Sequence, residues 1–293
     1  MKKKIKIIIS IALAVALVVA SAAFMVLNGP RQVISLSEKG LPTDVNLFAH
    51  RGFSGVAPEN SAAAFIKAGE AGFFGAECDI QLTSDEVWIL NHDDNINRMT
   101  NGRGIASELS FAEIKEYKIT SGHNFLKYRD QKIITLGEYL EICDEYDVIP
   151  QIEIKGGNNK CLDKVLDALD KYEGMREKAI IISFDTEILS ALRDMDSEIE
   201  LWYVTSEITD DGISMCAEKN YGMGFNGNKY LKNPNGGIEK AQQAGIKLGC
   251  WTIDNTDTYK ALYDLGIRNF TTNRLTKQKM TEQIKSTRSY FLP

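Results

Sequence analysis

Two histidines, three acids and two cations stand where apolar runs of this sequence end. In "NLFAHRG" the run stops at His50-Arg51-Gly52, and in "VWILNHD" it stops at His92-Asp93. "GAECDIQLT" carries Glu77 and Asp79 two residues apart, and "IPQIEIK" spaces Glu153 and Lys155 the same way. Side chains alternate along a strand, so the members of each pair share a face. Three carboxylates gathered in one low-dielectric site repel one another and call for a cation. Hard oxygen ligands without a thiolate suit Ca²⁺ or Mg²⁺. Arg51 and Lys155 beside that metal would make a local site for one phosphate. His50 and His92 on either side of a held phosphate suggest a general base and a general acid. No P-loop lysine and no nucleophile elbow appears in the chain. The chemistry implied is metal-assisted phosphodiester cleavage, with Glu77, Asp79 and Glu153 on the metal.

Each residue also has a plain structural alternative. Asp79 can pair with Lys155, His92 can sit in a capped loop, and Arg51 can be a structural anchor. The joint pattern is harder to explain that way, because inward-facing charges are costly unless paired or bound to metal. The third histidine, His123, lies beside Ser121, Gly122 and Asn124 and reads as a loop residue.

The elements that must position these groups alternate. Strand-like runs fall at 46–50, 75–82, 87–91, 148–155, 179–184, 199–205, 222–226, 247–253 and 268–272. Helix-like stretches lie between most of them, at 61–71, 135–146, 159–172, 186–195, 211–219, 236–244 and 256–265, with a last helix after 274. Taking 75–91 as one strand-turn-strand excursion leaves eight βα units, which predicts an α/β fold, a closed (β/α)₈ TIM barrel over residues 46–287. Its strands would bring the charged groups to one mouth. An open doubly wound sheet is the alternative, and no GxGxxG follows the first strand to support a dinucleotide version. Residues 94–130 are too long for an ordinary βα loop and read as an insertion over the mouth, a small helical cap that could select substrate.

Residues 1–27 read as a separate unit. Four lysines precede an apolar run from Ile7 to Leu27 that is broken by Ser10 and Ser21. Such a run can span a bilayer as an uncut anchor with its lysines cytoplasmic. Ala20-Ser21-Ala22 equally suits a signal peptidase, so a cleaved signal peptide stays open. Either fate exports the remainder, as a membrane-anchored or a secreted domain. Residues 28–45 read as a linker. The whole 293-residue chain carries −6, and removing the four lysines leaves −10 for the rest. That charge disfavours nucleic acid and anionic lipid surfaces as partners. The five cysteines are odd in number and lack CxxC spacing, so buried thiols are expected, with room for one incidental disulfide and no zinc site.

The segments "HRGFSGVAPENS", "GAECDIQLTSDEVWILNHDDNINRMTNGRG", "TLGEYL" and "QIEIK" together resemble the glycerophosphodiester phosphodiesterases, and "IISF" and "GCWTID" fit that family's later strands. The resemblance covers about residues 46 to 276. It implies a TIM barrel that hydrolyses glycerophosphodiesters to an alcohol and glycerol 3-phosphate. It implies Glu77, Asp79 and Glu153 as ligands of a divalent cation, His50 and His92 as the acid–base pair, and Arg51 and Lys155 on phosphate. It further implies attack by the adjacent glycerol hydroxyl, giving a cyclic phosphate that water opens. Two segments depart from the family pattern. Glu59-Asn60-Ser61 replaces Glu-Asn-Thr, and Ser61 can still cap the helix that follows. Thr272-Asn273-Arg274-Leu275 replaces Thr-Asp-x-Pro, which removes an acid and a proline at the rim, where no metal or acid–base role is expected. Trp251 is a candidate wall for the substrate alcohol, or ordinary barrel packing. Two other functions remain open: a cell-surface phosphodiesterase for lysophospholipid or a glycerophosphate polymer, and a barrel that binds without turnover.

Overall fold

The computed structural model describes residues 12–21 and 32–279. In chain order its strands are β1 (Ile34–Ser35), β2 (Asn46–Ala49), β3 (Gly75–Leu82), β4 (Trp88–Leu90), β5 (Ile149–Ile154), β6 (Ile180–Ser183), β7 (Glu200–Thr205), β8 (Gly222–Asn226), β9 (Leu248–Trp251), β10 (Asn269–Thr272) and β11 (Leu275–Thr276). Eight of them pair in parallel in the order β2-β10-β9-β8-β7-β6-β5-β3, and a β2–β3 pairing closes the barrel. Strand β4 is the return limb of the expected excursion, antiparallel to β3 with Ile80 opposite Leu90. The predicted closed (β/α)₈ fold is therefore the observed one.

The strands separate two packed layers. Outward side chains such as Cys78, Ile80, Ile152, Ile154 and Ile181 join the helices in one continuous buried cluster. A smaller cluster of Phe48, Ile180, Ile182, Trp202 and Val204 fills part of the barrel interior. Trp202 is accommodated by Gly249, where a β-carbon would stand 2.7 Å from the indole ring. Helix starts are capped where the sequence supplies a short polar side chain. Ser61 accepts from the Ala64 amide as expected, and Thr135 forms a reciprocal capping box with Glu138 at the helix beginning "LGEYL".

Residues 94–130 lie between β4 and the helix Leu136–Glu145 and contain only short helical turns. Ile96, Ala106 and Ile114 pack with Ile89 and Ile133 into a cluster of their own. The segment docks onto the loop after β2, where the Asn124 side-chain amide donates to the Val56 carbonyl at 2.9 Å. All five cysteines are free; four are buried, and Cys161 is half-buried.

Two boundaries differ from the sequence reading. The stretch read as a linker is docked from residue 34 onward: β1 pairs in parallel with β11, and Leu36 is fully buried in the outer core. A sequence window cannot show this, because the partner strand lies some 240 residues away. Just after residue 274 the chain forms β11, whereas a helix was expected there; residues from 280 on, including the end of the predicted 46–287 unit, lie outside the described residues. Residues 12–21 of the N-terminal segment form a helix with exposed apolar side chains, and the rest of residues 1–27 lies outside the description. Among the described residues, no helix is long and apolar enough to cross a membrane.

Docking of β1 and Leu36 has a measurable consequence. Full burial of a leucine contributes about 1.5–3 kcal/mol. For a domain of this size that corresponds to roughly 3–12 °C in Tm. A chain beginning at residue 42 should melt lower than one beginning at residue 30 by that amount in calorimetry. Equal melting temperatures would show that residues 34–41 contribute nothing to the fold.

Candidate active site

The predicted site groups arrive at one end of the barrel. His50 is the first residue beyond β2 and keeps the sheet's pairing through its amide, which donates to the Thr272 carbonyl at 2.9 Å. The chain then turns sharply, with Arg51 (φ 56°) and Gly52 (φ 73°) both left-handed. Only glycine suits position 52, since a β-carbon there would also lie 2.7 Å from Ala64 of the following helix. The turn aims the Arg51 amide at Glu77 Oε2, 2.7 Å away. Its guanidinium donates through Nη1 to Glu59 Oε1 at 2.8 Å and places Nε 3.3 Å from Asp79 Oδ2.

Glu77 and Asp79 share the inner face of β3, as expected from alternation. The register sets Asp79 opposite Glu153 of β5. Carboxylate oxygens of Glu77, Asp79 and Glu153 lie within 4.8 Å of one another. Burial, then the charges of Asp79 and Glu153, push the Glu77 carboxyl well above the usual range. Burial and Asp79 also raise Glu153, against the pull of Lys155. Asp79 is buried too, yet Arg51 and Lys155 outweigh that and hold it below its ordinary value. Lys155 Nζ lies 2.7 Å from Glu153 Oε1 and 3.4 Å from Asp79 Oδ1. The Asp79–Lys155 pairing weighed as a structural alternative is thus present, but it neutralises only part of the cluster. A compact, buried, all-oxygen set with excess negative charge fits a hard divalent cation.

Asn60 explains the residues "ENS". Left-handed at φ 52°, it donates to Asp79 Oδ2 at 2.8 Å and accepts from the Asp79 amide at 3.2 Å. Glu59 bridges Arg51 to Arg98 of the insertion, whose Nη2 donates to Glu59 Oε1 at 2.7 Å. Burial raises Glu59, but the two arginines win and leave its carboxyl lowered.

The two histidines have unlike partners. His92 Nδ1 is 2.8 Å from Asp93 Oδ1. Asp93 is held in turn by Arg98 Nε at 2.6 Å. Chiefly through that bond, its carboxyl is lowered to about 2. The side-chain amides of Gln81 and Asn91 both donate to the Asp93 carbonyl and fix this turn. His50 Nδ1 instead meets a neutral amide, Asn273 Oδ1, at 2.8 Å. Burial, and then the charge of Arg51, lower His50 to about 4.

Both imidazoles line one cavity of about 210 Å³ together with Arg51, Glu77, Glu153 and Lys155. Its other wall is apolar and includes Ile182, Phe184, Trp202, Val204 and Trp251. Trp251 meets Phe184 edge to face, with ring centroids 5.7 Å apart, so it is both cavity wall and packing partner. His123 does not line the cavity.

Sequence reading missed Asn60, Arg98, Phe184 and Trp202 at the site. It also placed no acid–base role at position 273, whereas Asn273 is the hydrogen-bond partner of His50. The available signals were weak: a polar residue one position beyond a strand, and an arginine inside the insertion.

Comparison with known proteins shows the family. The sequence pattern of the glycerophosphoryl diester phosphodiesterase family matches residues 50–277. A glycerophosphodiester phosphodiesterase of Caldanaerobacter subterraneus subsp. tengcongensis is 30% identical over 235 residues, covering 78% of this chain and 93% of the relative. One from Bacillus altitudinis is 26% identical over 231 residues, covering 75% of this chain and 91% of the relative. Among solved structures, an Oleispira antarctica phosphodiesterase in complex with its product sn-glycerol-3-phosphate superposes with a TM-score of 0.71. At 24% identity over 85% of this chain and 99% of its own, it shares the fold. With the family's pattern running from His50 past the last barrel strand, the chain belongs to the glycerophosphoryl diester phosphodiesterases, which are phosphoric diester hydrolases.

Proposed function

We propose that this protein hydrolyses glycerophosphodiesters to an alcohol and glycerol 3-phosphate, with Glu77, Asp79 and Glu153 holding a divalent cation and His50 and His92 exchanging protons with the substrate. The observation that carries the reading is one cavity lined by two imidazoles with unlike partners and by Glu77 and Glu153, which cluster with the buried Asp79. The relatives named for this activity support it. When bound, the cation supplies positive charge that stabilises the phosphate oxygens as the phosphoester bond is made and broken. Ca²⁺ and Mg²⁺ both suit the all-oxygen set.

The residues divide the remaining work. His50, paired with a neutral amide and kept unprotonated at neutral pH by burial, has a ring nitrogen free to accept a proton from the hydroxyl next to the phosphoester. His92, backed by the Asp93 carboxylate, is suited to carry the extra proton and deliver it to the leaving alcohol. Attack by that hydroxyl forms a cyclic phosphate, and the pair exchanges roles when water opens it. Arg51 and Lys155 sit on the acids with their charges facing the cavity, where they add to the field on the phosphate. Trp251 and Phe184 wall the side available to the alcohol.

The lipid-directed alternative draws support from the apolar wall. Against it, Ile105 and Leu126 are the large exposed apolar residues described within 94–130, so the insertion presents no long apolar face. An inert binding barrel would not need both imidazoles in one cavity beside a cluster of three acids, and turnover of glycerophosphocholine tests it. We further read the catalytic domain as exported. The mass of the native protein separates the two fates of residues 1–27, since an N-terminus at Ala23 means cleavage and an intact start means an anchor.

Metal binding should compete with protons. Glu77 and Glu153 titrate above the unfolded range, so the folded chain binds the extra protons. Metal-free stability therefore falls as pH rises from the ordinary carboxylate value through the raised ones. A cation replaces those protons, so saturating Ca²⁺ or Mg²⁺ should raise Tm more near pH 8 than near pH 5. Glu77→Gln, Asp79→Asn and Glu153→Gln should each remove the increment and metal-dependent turnover. Full activity after dialysis into excess chelator would overturn the assignment.

Loss of either histidine should cost roughly 10²–10⁴ in rate. The His50→Gln/His92→Gln double variant should lose less than the product of the single losses, because the two act as one unit. His123→Ala should be nearly silent. Wild-type kcat in His92→Gln would reject the pair.

The attacking hydroxyl makes its own prediction. An intramolecular nucleophile can contribute about 7–11 kcal/mol through effective molarity. Glycerophosphocholine with hydrogen in place of that hydroxyl should bind as a competitive inhibitor and turn over very slowly. Comparable kcat for the two compounds would favour direct attack by water.

A further inference from the structure

The partner of His50 is itself constrained, across three neighbouring strand ends. His50 follows β2, Asn273 follows β10, and Asp254 lies in the loop after β9, and these strands are adjacent in the barrel. Asn273 Oδ1 lies 2.8 Å from His50 Nδ1 and accepts from Ser54 Oγ at 2.7 Å. On its other side, Asn273 Nδ2 donates to Asp254 Oδ2 at 2.6 Å, and the Asn273 amide donates to Asp254 Oδ1 at 2.8 Å. The Thr272 hydroxyl, fully buried, also donates to Asp254 Oδ1 at 3.2 Å.

A carboxylate accepts hydrogen bonds and has none to give. Turning the Asn273 amide over would set its oxygen against Asp254 Oδ2 and lose a charge-assisted bond. Asp254 therefore decides which end of Asn273 faces the histidine. An amide oxygen carries no proton, so the hydrogen between Asn273 and His50 must belong to His50 Nδ1. Nε2 is then the nitrogen with a free lone pair, and the imidazole lines the cavity.

We infer that Asn273 is a positioning residue, oriented by Asp254, that locks His50 in its Nδ1–H tautomer and so leaves Nε2 as the proton acceptor. The consequence for rate rests on the reading of His50 as the base; the tautomer does not. Ser54 completes the arrangement by taking the second lone pair of the Asn273 oxygen. The arrangement supplies orientation without placing a negative charge against the ring, unlike Asp93 at His92.

The test reads the tautomer directly. The chain has three histidines, so long-range ¹H–¹⁵N spectra of the full-length protein can be assigned with His92→Gln and His123→Ala. Wild type should show a protonated Nδ1 and an unprotonated Nε2 at His50 near neutral pH. Asp254→Asn presents an amide hydrogen to Asn273, turns that residue over, and should convert His50 to the Nε2–H form. The accompanying fall in kcat should be about 10²–10⁴-fold, the range for a misplaced proton-transfer group. The exchange variant Asp254→Asn/Asn273→Asp rebuilds the same hydrogen bonds with the carboxylate moved one residue. It should restore the Nδ1–H signature and return kcat to within about tenfold of wild type. A protonated Nε2 in wild type would overturn the inference without any variant. So would an unchanged tautomer in Asp254→Asn. Full activity in His50→Gln together with an Nδ1–H wild type would instead reject the base assignment and leave the positioning intact.

Discussion

Three carboxylates brought within 4.8 Å of one another inside a barrel are the constraint on which this structure turns. Left alone they would repel strongly at low dielectric, and the interior offers little water to screen them. The chain answers with donors from several directions. The backbone of the turn at Arg51 serves Glu77, Asn60 serves Asp79, and Lys155 lies between Asp79 and Glu153. Asp79, with the most donors, is the one carboxyl held low, while Glu77 and Glu153 are raised. The set is therefore under-compensated by the protein itself. That residual charge gives a divalent cation a reason to bind there, and it explains the left-handed turn at Arg51, which an ordinary strand-to-helix loop would not need.

The same constraint divides the barrel interior. The acids enter from β3 and β5, while Ile182 of β6, Val204 of β7 and Trp251 of β9 present apolar surface around the same cavity. A phosphodiester has a charged centre and two substituents of different polarity. A cavity with one charged wall and one apolar wall orients such a molecule before any chemistry begins, and orientation is a large share of what a catalyst can contribute. The insertion reinforces the charged wall, since Arg98 ties Glu59 and Asp93 together and couples the turn after β2 to the turn that carries His92.

Much of this was legible in the sequence, because a few short-range rules govern it. Alternation along "ECD" and "IEIK" determines that the paired residues share a face, and the βα rhythm determines that strand ends meet at one mouth. The rest depends on partners far apart in the chain. Nothing local to "TTNRL" says that Asn273 meets a histidine 223 positions earlier. Nothing local to "VISL" says that Leu36 is core rather than linker, since its neighbouring strand pairs with residues some 240 positions later. Arg98 was hidden by its surroundings, for polar residues inside a long insertion look like solvent-facing ones until a carboxylate is placed opposite them.

The contrast between the two imidazoles ties these threads together. Each ring is held through Nδ1, one by Asp93 and the other by Asn273. A carboxylate partner stabilises an imidazolium, whereas an amide partner fixes the ring without stabilising charge on it. At the His50 end a carboxylate stands one residue further back, at Asp254, where it orients the amide. The family pattern leads one to expect an acid at position 273. The asparagine found there meets His50 through Oδ1 and donates to Asp254 through Nδ2. The two rings therefore differ in the charge of the group that holds Nδ1, a carboxylate at His92 and a neutral amide at His50, while burial and the charge of Arg51 are what lower the His50 imidazole.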